Sequence, residues 1–343
     1  MELNLSPQMA DTTIFEGDGG GYYIWTDAKS PALVEAELAA GKLVLQPRGF
    51  ALPHYADSHK IGYVAQGTCT VGLVSPTNSE EKVVIINKGE AIPVSAGTIS
   101  WWFNGGDSDV TLIFLGKGSQ SYNPGQFNYF FLTGAIGLMG GFSTEFISKI
   151  YNFDESDLQK LAKSQVNPFI IKLGPEINMP SESNCTVGGY VFNFENEFFS
   201  NANTIEMTAN NFTMLDKIGL SAGVVKIESN TIMSPSYSTD SAQRIFYVTK
   251  GSGRVQIVGL NGSQSLDAIL EEGQIFVVPK FFAVTQLAGE NGLEFFSVST
   301  SPRPVLGQLG GIASVWKALS PPVLQAALSI SPDFVKDFKS KIE

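Results

Sequence analysis

The sequence predicts a mainly-β protein built from two copies of one domain, each copy followed by a short helical segment. Three observations carry that reading. The 35 Gly and 17 Pro are scattered between short apolar runs, a punctuation that suits many tight turns between short strands. Hydrophobic residues make up 43% of the 343-residue chain and charged residues 16%, enough apolar surface for two packed cores of ordinary domain size. The third is an internal repeat. Lys60–Gly67 (KIGYVAQG) is echoed by Arg244–Gly251 (RIFYVTKG), an offset of 184 residues. At that same offset of 184, Val71 and Val74 fall on Val255 and Val258, Lys88-Gly89-Glu90 on Glu272-Gly273-Gln274, and Val94 on Val278. A constant offset across separated blocks marks a duplicated domain.

The elements follow in chain order. Gly17–Gly21 (GDGGG) is Gly-rich like a phosphate loop. The Tyr22–Trp25 stretch after it has a strand pattern rather than a helix start, and no Lys-Ser/Thr pair ends it, so a loop is expected. Val83–Ile86 and Thr111–Leu115 are apolar runs between turn signals, and Gly273–Val278 and Leu293–Val298 are their counterparts. Asn261-Gly262 after Val255–Leu260 signals a hairpin, because both residues tolerate positive φ. Asp154 before Glu155–Leu161 reads as an N-cap with acids in the first turn, offsetting the helix dipole. Ser320-Pro321 and Ser331-Pro332 each place a cap before an N1 proline. Leu324, Ala327 and Leu328 form an apolar stripe that can cover the chain's own barrel or dock another subunit. Met179–Asn184 (MPSESN) is the linker candidate, giving domains 1–178 and 179–343.

Charge excludes several function classes. The net charge is −11, and only four of the 22 basic residues are Arg (Arg48, Arg244, Arg254, Arg303). Such a chain offers no footprint for a phosphate backbone and no polybasic run for anionic lipid, so neither nucleic acid nor a membrane is an expected partner. No apolar run reaches the length of a membrane-crossing helix. Met1–Ser6 carries neither a basic nor an apolar segment, so no secretory signal is expected and a cytoplasmic location is. Cys69 and Cys185 cannot build a disulfide framework, and Cys69, inside a strand pattern, reads as a small core residue.

At Pro53-His54-Tyr55, Tyr63-Val64, Gly67, Ala96-Gly97 and Trp101–Asn104 the chain resembles the cupin barrel of plant legumins, the 11S seed globulins. Gly141–Phe146 resembles the segment opening the first legumin helical arm. Ser234-Pro235, Tyr247–Gln256 and Val315–Leu319 resemble the second barrel and arm. The match runs from about Gly41 to Phe338 with the motifs in order. It implies two jelly-roll cupin β-barrels in tandem, each followed by a short helical arm, and a homotrimer assembled through those arms. It also implies the seed-storage, nutrient-reservoir class, with vacuolar or protein-body storage as the family's location.

The chain departs from the family in ways that bear on chemistry. Metal-binding cupins such as germins hold a manganese- or iron-like ion with three His and one Glu. Only two His occur here, His54 and His59. His54 matches the first ligand position, but Ala56, Lys60 and Ser100 take the other three, and Ser236, Ser238, Arg244 and Val284 take all four in the second copy. A Lys or Arg where a carboxylate should neutralise a cation adds repulsion, so no metal, no cofactor and no germin-like oxidase activity are expected. With 14 Gln, 19 Asn and 4 Arg, nitrogen-rich side chains are not enriched. The Asn-Gly pairs at Asn104, Asn261 and Asn291 lie within the barrels, not between them where legumins are cleaved, and Cys69 and Cys185 do not match the positions that link legumin halves.

Residual chemistry in the first copy gathers at His54, Tyr55, Lys60, Tyr63, Ser100 and the Trp101-Trp102 pair. Strand alternation admits only one of the two Trp to a barrel interior. His54, Tyr63 and Lys60 are candidates for metal-free proton transfer. His54, Tyr55, Tyr63, Ser100 and Trp102 are candidates for holding a small apolar or aromatic ligand. The alternative to storage is therefore a cytosolic metal-free binder, or an enzyme of plant specialised metabolism, using the N-terminal barrel. The alternative for the residues themselves is ordinary core.

Overall fold

A computed structural model describes residues 4–181, 189–195 and 204–342. The chain divides into two compact units, neither one contiguous run. One comprises Ala10–Asn201 with Ala209–Leu220, the other Met1–Met9, Ala202–Thr208 and Ser221–Glu343. Of the linker candidate, Met179 packs on a cluster of Val83, Trp101 and Phe103, while Glu182–Asn184 and the neighbouring Cys185 lie outside the described residues. Among the described residues no helix is long and apolar enough to cross a membrane.

The first unit is a pair of antiparallel sheets. One runs in the order Thr12–Gly17, Gly20–Ile24, Leu38–Leu45, Val110–Lys117, Lys60–Gln66, Glu90–Val94, Phe192–Asn193. The other runs Tyr129–Phe131, Gly49–Ala56, Ile99–Phe103, Thr68–Ser75, Asn78–Asn87. Alternation sends Leu43, Val64 and Leu112 of the first sheet to meet Val71, Val84 and Trp102 of the second in one core. The Gly-rich stretch is shorter as a connection than the expected loop: Gly17, Gly20 and Gly21 lie in paired strands and only Asp18-Gly19 turns between them. Cys69 is buried in its strand, and burial pushes its thiol up to about 12, which leaves it unreactive.

The duplication holds at the level of strand register. Lys60, Ile61, Gly62 and Tyr63 pair with Val94, Pro93, Ile92 and Ala91. Arg244, Ile245, Phe246 and Tyr247 pair with Val278, Val277, Phe276 and Ile275. Gly67 and Gly251, one repeat apart, both take φ 81°, the first between Lys60–Gln66 and Thr68–Ser75, the second at a register shift within Arg244–Val258. A side chain there would collide with the Asp109 carbonyl in one copy and the Gly292 carbonyl in the other, so only Gly serves.

The second unit uses longer, bent strands. Arg244–Val258 pairs with Ile275–Val278 along its first half and Gln264–Glu271 along its second, and with Ala283–Ser299 throughout. Ala283–Ser299 in turn pairs with Ser221–Ile227, which pairs with Thr204–Met207. Ser236–Ser238 sits between Ala283–Ser299 and Leu306–Gln308. Asn261 at φ 60° and Gly262 at φ 68° make the predicted hairpin turn. Gln8 exchanges backbone hydrogen bonds with Ile275, tying the N-terminal segment into this unit.

Each barrel is followed by helices, as expected. Ser143 caps Thr144–Tyr151 and Asp154 caps Glu155–Ala162, accepting from the Asp157 amide at 2.9 Å. Ser331 caps Pro332–Lys341 through the Phe334 amide. Ser320 makes no side-chain cap on Pro321–Leu328, and there the proline alone shapes the start. These helices bury little of themselves. Ile147 is buried but Phe142, Phe146 and Ile150 are 59%, 60% and 60% exposed. Of the predicted stripe Leu324, Ala327 and Leu328, only Leu324 is buried.

Candidate functional site

Strand parity decides what lines the first barrel. On Gly49–Ala56, His54 points inward with Tyr129 and Phe131 against it, at ring distances of 5.1 Å each. On Lys60–Gln66, Lys60 and Val64 point inward; on Ile99–Phe103, Ser100 and Trp102 do. His54 stands opposite Ser100 in the ladder, and Trp102 Nε1 donates to Ser100 Oγ at 3.2 Å. The structure thus gathers His54, Lys60, Ser100 and Trp102. It places Tyr55 and Tyr63, one residue from His54 and three from Lys60, on the opposite faces. Tyr55 stacks on Phe130 at 5.0 Å, and Tyr63 packs on Phe194 at 6.3 Å. Trp101 also faces away, against Phe50, with its Nε1 donating to Glu81.

Lys60 dominates this interior. It is 1% exposed, and its ammonium lies 4.2 Å from the Tyr129 ring centroid, 5.0 Å from Phe114 and 5.5 Å from Phe127. Three ring faces supply the negative quadrupole potential that water would otherwise provide. Burial still lowers its pKa to about 7, with Asp57 pulling the other way. His54 Nδ1–H donates to the Leu52 carbonyl at 2.7 Å. Burial and the Lys60 charge lower the His54 pKa to about 3, leaving the imidazole neutral at ordinary pH. Tyr22 and Tyr129 share a 2.5 Å hydroxyl–hydroxyl contact, and burial pushes both phenols up. The space beside His54, Lys60 and Tyr129 measures about 30 Å³, room for a water molecule and not for an organic ligand.

The metal quartet of metal-binding cupins does not fit here. Its four positions carry His54, Ala56, Lys60 and Ser100: one imidazole, two side chains without a ligating charge, and an ammonium. Among the described residues no group of three or more His, Cys, Asp or Glu could hold a metal ion. The first barrel carries an amine of its own, tethered at the position where a carboxylate would bind a metal ion, and below about pH 7 that amine is a cation.

The second barrel keeps the cation and loses the cage. Arg244 is 8% exposed and, like Lys60, begins its strand. The ladders show what surrounds each. Phe114 stands opposite Gly62 and Gly41; the residue so placed in the second copy, opposite Phe246 and Gly223, is Ser297. By the same register Tyr22 becomes Thr204, Ile24 becomes Glu206, Tyr129 becomes Leu306 and Phe131 becomes Gln308. Five side chains change, and four of them, the aromatic rings of Tyr22, Phe114, Tyr129 and Phe131 beside Lys60 and His54, become smaller or polar. A cavity of about 520 Å³ results, lined by Arg244, Phe246, Glu206, Ser297 and Ser299 among others. This cavity is not legible in the sequence. Arg244 was visible only as a misfit metal ligand, and the signal for room around it lay in small residues on strands whose offset drifts between copies.

Comparison with known proteins agrees with the folded duplication. The cupin domain family matches twice, at residues 5–159 and 192–336. The 11S globulin seed storage protein 2 of Sesamum indicum is 22% identical over 397 aligned positions, covering 94% of this chain and 86% of that protein. The 13S globulin seed storage protein 2 of Fagopyrum esculentum is 25% identical, covering 92% and 81%. Among solved structures, procruciferin, the 11S globulin of Brassica napus, superposes with a TM-score of 0.88 at 22% identity, covering 100% of this chain and 96% of that one. With two tandem barrels, a register shared between them and both halves matched by the same family, this chain belongs to the cupins as a bicupin of 11S-globulin architecture.

Proposed function

We propose that this protein is a storage globulin of the 11S type, a nutrient reservoir without a metal centre that self-associates as a homotrimer through its helical arms. The observation that supports it best is the likeness to seed storage globulins over nearly the whole chain, joined to a first barrel filled by its own aromatic rings and ammonium. The arms support self-association. Phe146 and Ile150, one turn apart on Thr144–Tyr151, stay exposed together with Phe142 just before that helix, as do Val323, Leu328 and Phe334 on the second arm, a pattern that contact between subunits would cover. The relatives' storage role favours a seed protein body or vacuole over the cytoplasmic location expected from Met1–Ser6.

One extract series tests the reading. Immunoblots through seed maturation and germination should show massive accumulation followed by depletion, in the protein-body fraction, at a sedimenting mass of about three times 36.9 kDa. A constant trace level in the cytosol, sedimenting as a monomer, would contradict it. The alternative of a binder or enzyme acting in the N-terminal barrel has less support. A substrate would have to enter about 30 Å³ beside His54 and Lys60, and Tyr63, the other proton-transfer candidate, packs on Phe194 instead.

A further inference from the structure

From its unsatisfied donors and its shape, we infer that the second barrel is a binding site for a small organic carboxylate, a monoanion with a compact apolar body, held by Arg244. This goes beyond the storage reading and does not depend on it. Arg244 is a buried guanidinium with five N–H donors. Its bonds within the described residues are a 3.5 Å contact to Ser236 Oγ and a 3.4 Å contact to the Ser236 carbonyl, both at the long limit for a hydrogen bond. Among the described residues its Nε has no hydrogen-bond partner, and neither has Ser299 Oγ, which lines the same cavity opposite Arg244 in the ladder. Among the described residues Arg244 forms no salt bridge. Burial brings its pKa to about 10 against the pull of Asp240 and Glu206, so the group is charged at neutral pH.

Buried donors without acceptors are costly, and the planar fork of a guanidinium matches the two oxygens of a carboxylate. The rest of the cavity restricts the class. Phe246, 5.8 Å below the guanidinium, and Phe295 and Val284 offer an apolar wall for a ring or short chain. Glu206 lies on the same cavity, and burial raises its pKa, Arg244 opposing. A second negative charge on the ligand would meet that carboxyl, so a monoanion is selected over a dianion. The volume of about 520 Å³ falls in the usual range of ligand pockets, about 300–1,000 Å³. In the first barrel the Phe114 ring occupies the place of Ser297, so the same site cannot form there.

Isothermal titration of the full chain at pH 7 with benzoate and with benzamide, its neutral isostere, tests this. One benzoate should bind per chain, and benzamide at least about tenfold more weakly, since a charged hydrogen-bonded contact is worth that much or more. Arg244→Gln should weaken benzoate by a similar factor, Ser297→Phe should abolish binding by filling the cavity, and Lys60→Met should leave it unchanged. Equal affinity for benzoate and benzamide, or no benzoate binding at millimolar concentration, would overturn the assignment without recourse to any variant. Wild-type affinity in Ser297→Phe or Arg244→Gln would overturn it, and so would a loss in Lys60→Met, which would move the site to the other barrel.

Discussion

Lys60→Met will stabilise the protein, by about 1–3 kcal/mol at pH 6, although it removes three cation–π contacts. A buried charge forgoes hydration, and replacing buried ionic groups by apolar ones of similar volume is often neutral or stabilising by about 1–4 kcal/mol. The cage returns part of that cost, about 2 kcal/mol at a desolvated site, so the net gain is smaller than desolvation alone would give. Met is unbranched and close to Lys in length, and it fills the ring-lined space without strain. The sign of the pH dependence follows from linkage. Lys60 falls from 10.5 in the unfolded chain to about 7 in the native one. Below pH 7 both states hold the proton and the full cost of burial is present. Above it the native state has released a proton that the unfolded state retains, so stability rises with pH through the window up to about 10. Chemical denaturation between pH 6 and 9 should show that rise in wild type and a flatter profile in Lys60→Met. The range stops short of about pH 10, where Tyr22 and Tyr129, whose phenols burial pushes up, begin to favour the unfolded state. A variant less stable than wild type at pH 6 would refute the claim that the ammonium is tolerated rather than required.

Trp102→Ala will cost about 3–5 kcal/mol, the range for truncating a large aromatic in a well-packed core. Trp102 is 1% exposed and meets Phe114 edge-on at 5.0 Å. Phe114 in turn forms one wall of the Lys60 cage, so the cavity left behind would loosen the ammonium's surroundings as well. Ser100 Oγ would lose the indole N–H it accepts from. For a unit of this size the transition of the first barrel should fall by about 2–4 °C per kcal/mol. Scanning calorimetry should resolve that shift, and a fall of only a degree or two would place Trp102 outside the core.

Much of the fold was legible because duplication leaves a constant offset where strands are regular and glycines are required. Lys60–Gly67 and Arg244–Gly251 lie on strands whose pairing is conserved residue for residue, with a Gly that no other residue can replace. Helix ends were legible from local chemistry at Asp154 and Ser331, and the missing Ser320 cap shows its limit where a proline already fixes φ. The site was legible only in part. Composition showed that imidazoles are scarce, and the resemblance to cupin barrels implied that Lys60 and Arg244 stand where a metal-binding member carries its carboxylate. Which side of a strand faces inward depends on register, and so Tyr55 and Tyr63 could not be separated from His54 and Lys60 by proximity in sequence. Room in the second barrel depends on several distant positions at once, among them Thr204, Ser297 and Leu306, each unremarkable alone.

The central claim is that each barrel carries a basic side chain, Lys60 or Arg244, in place of a metal site. Dialysis of the purified protein against excess Mn²⁺ or Zn²⁺, followed by elemental analysis, tests it most directly. The account predicts well under one bound ion per chain for either metal. One ion per chain, lost on His54→Ala, would contradict it.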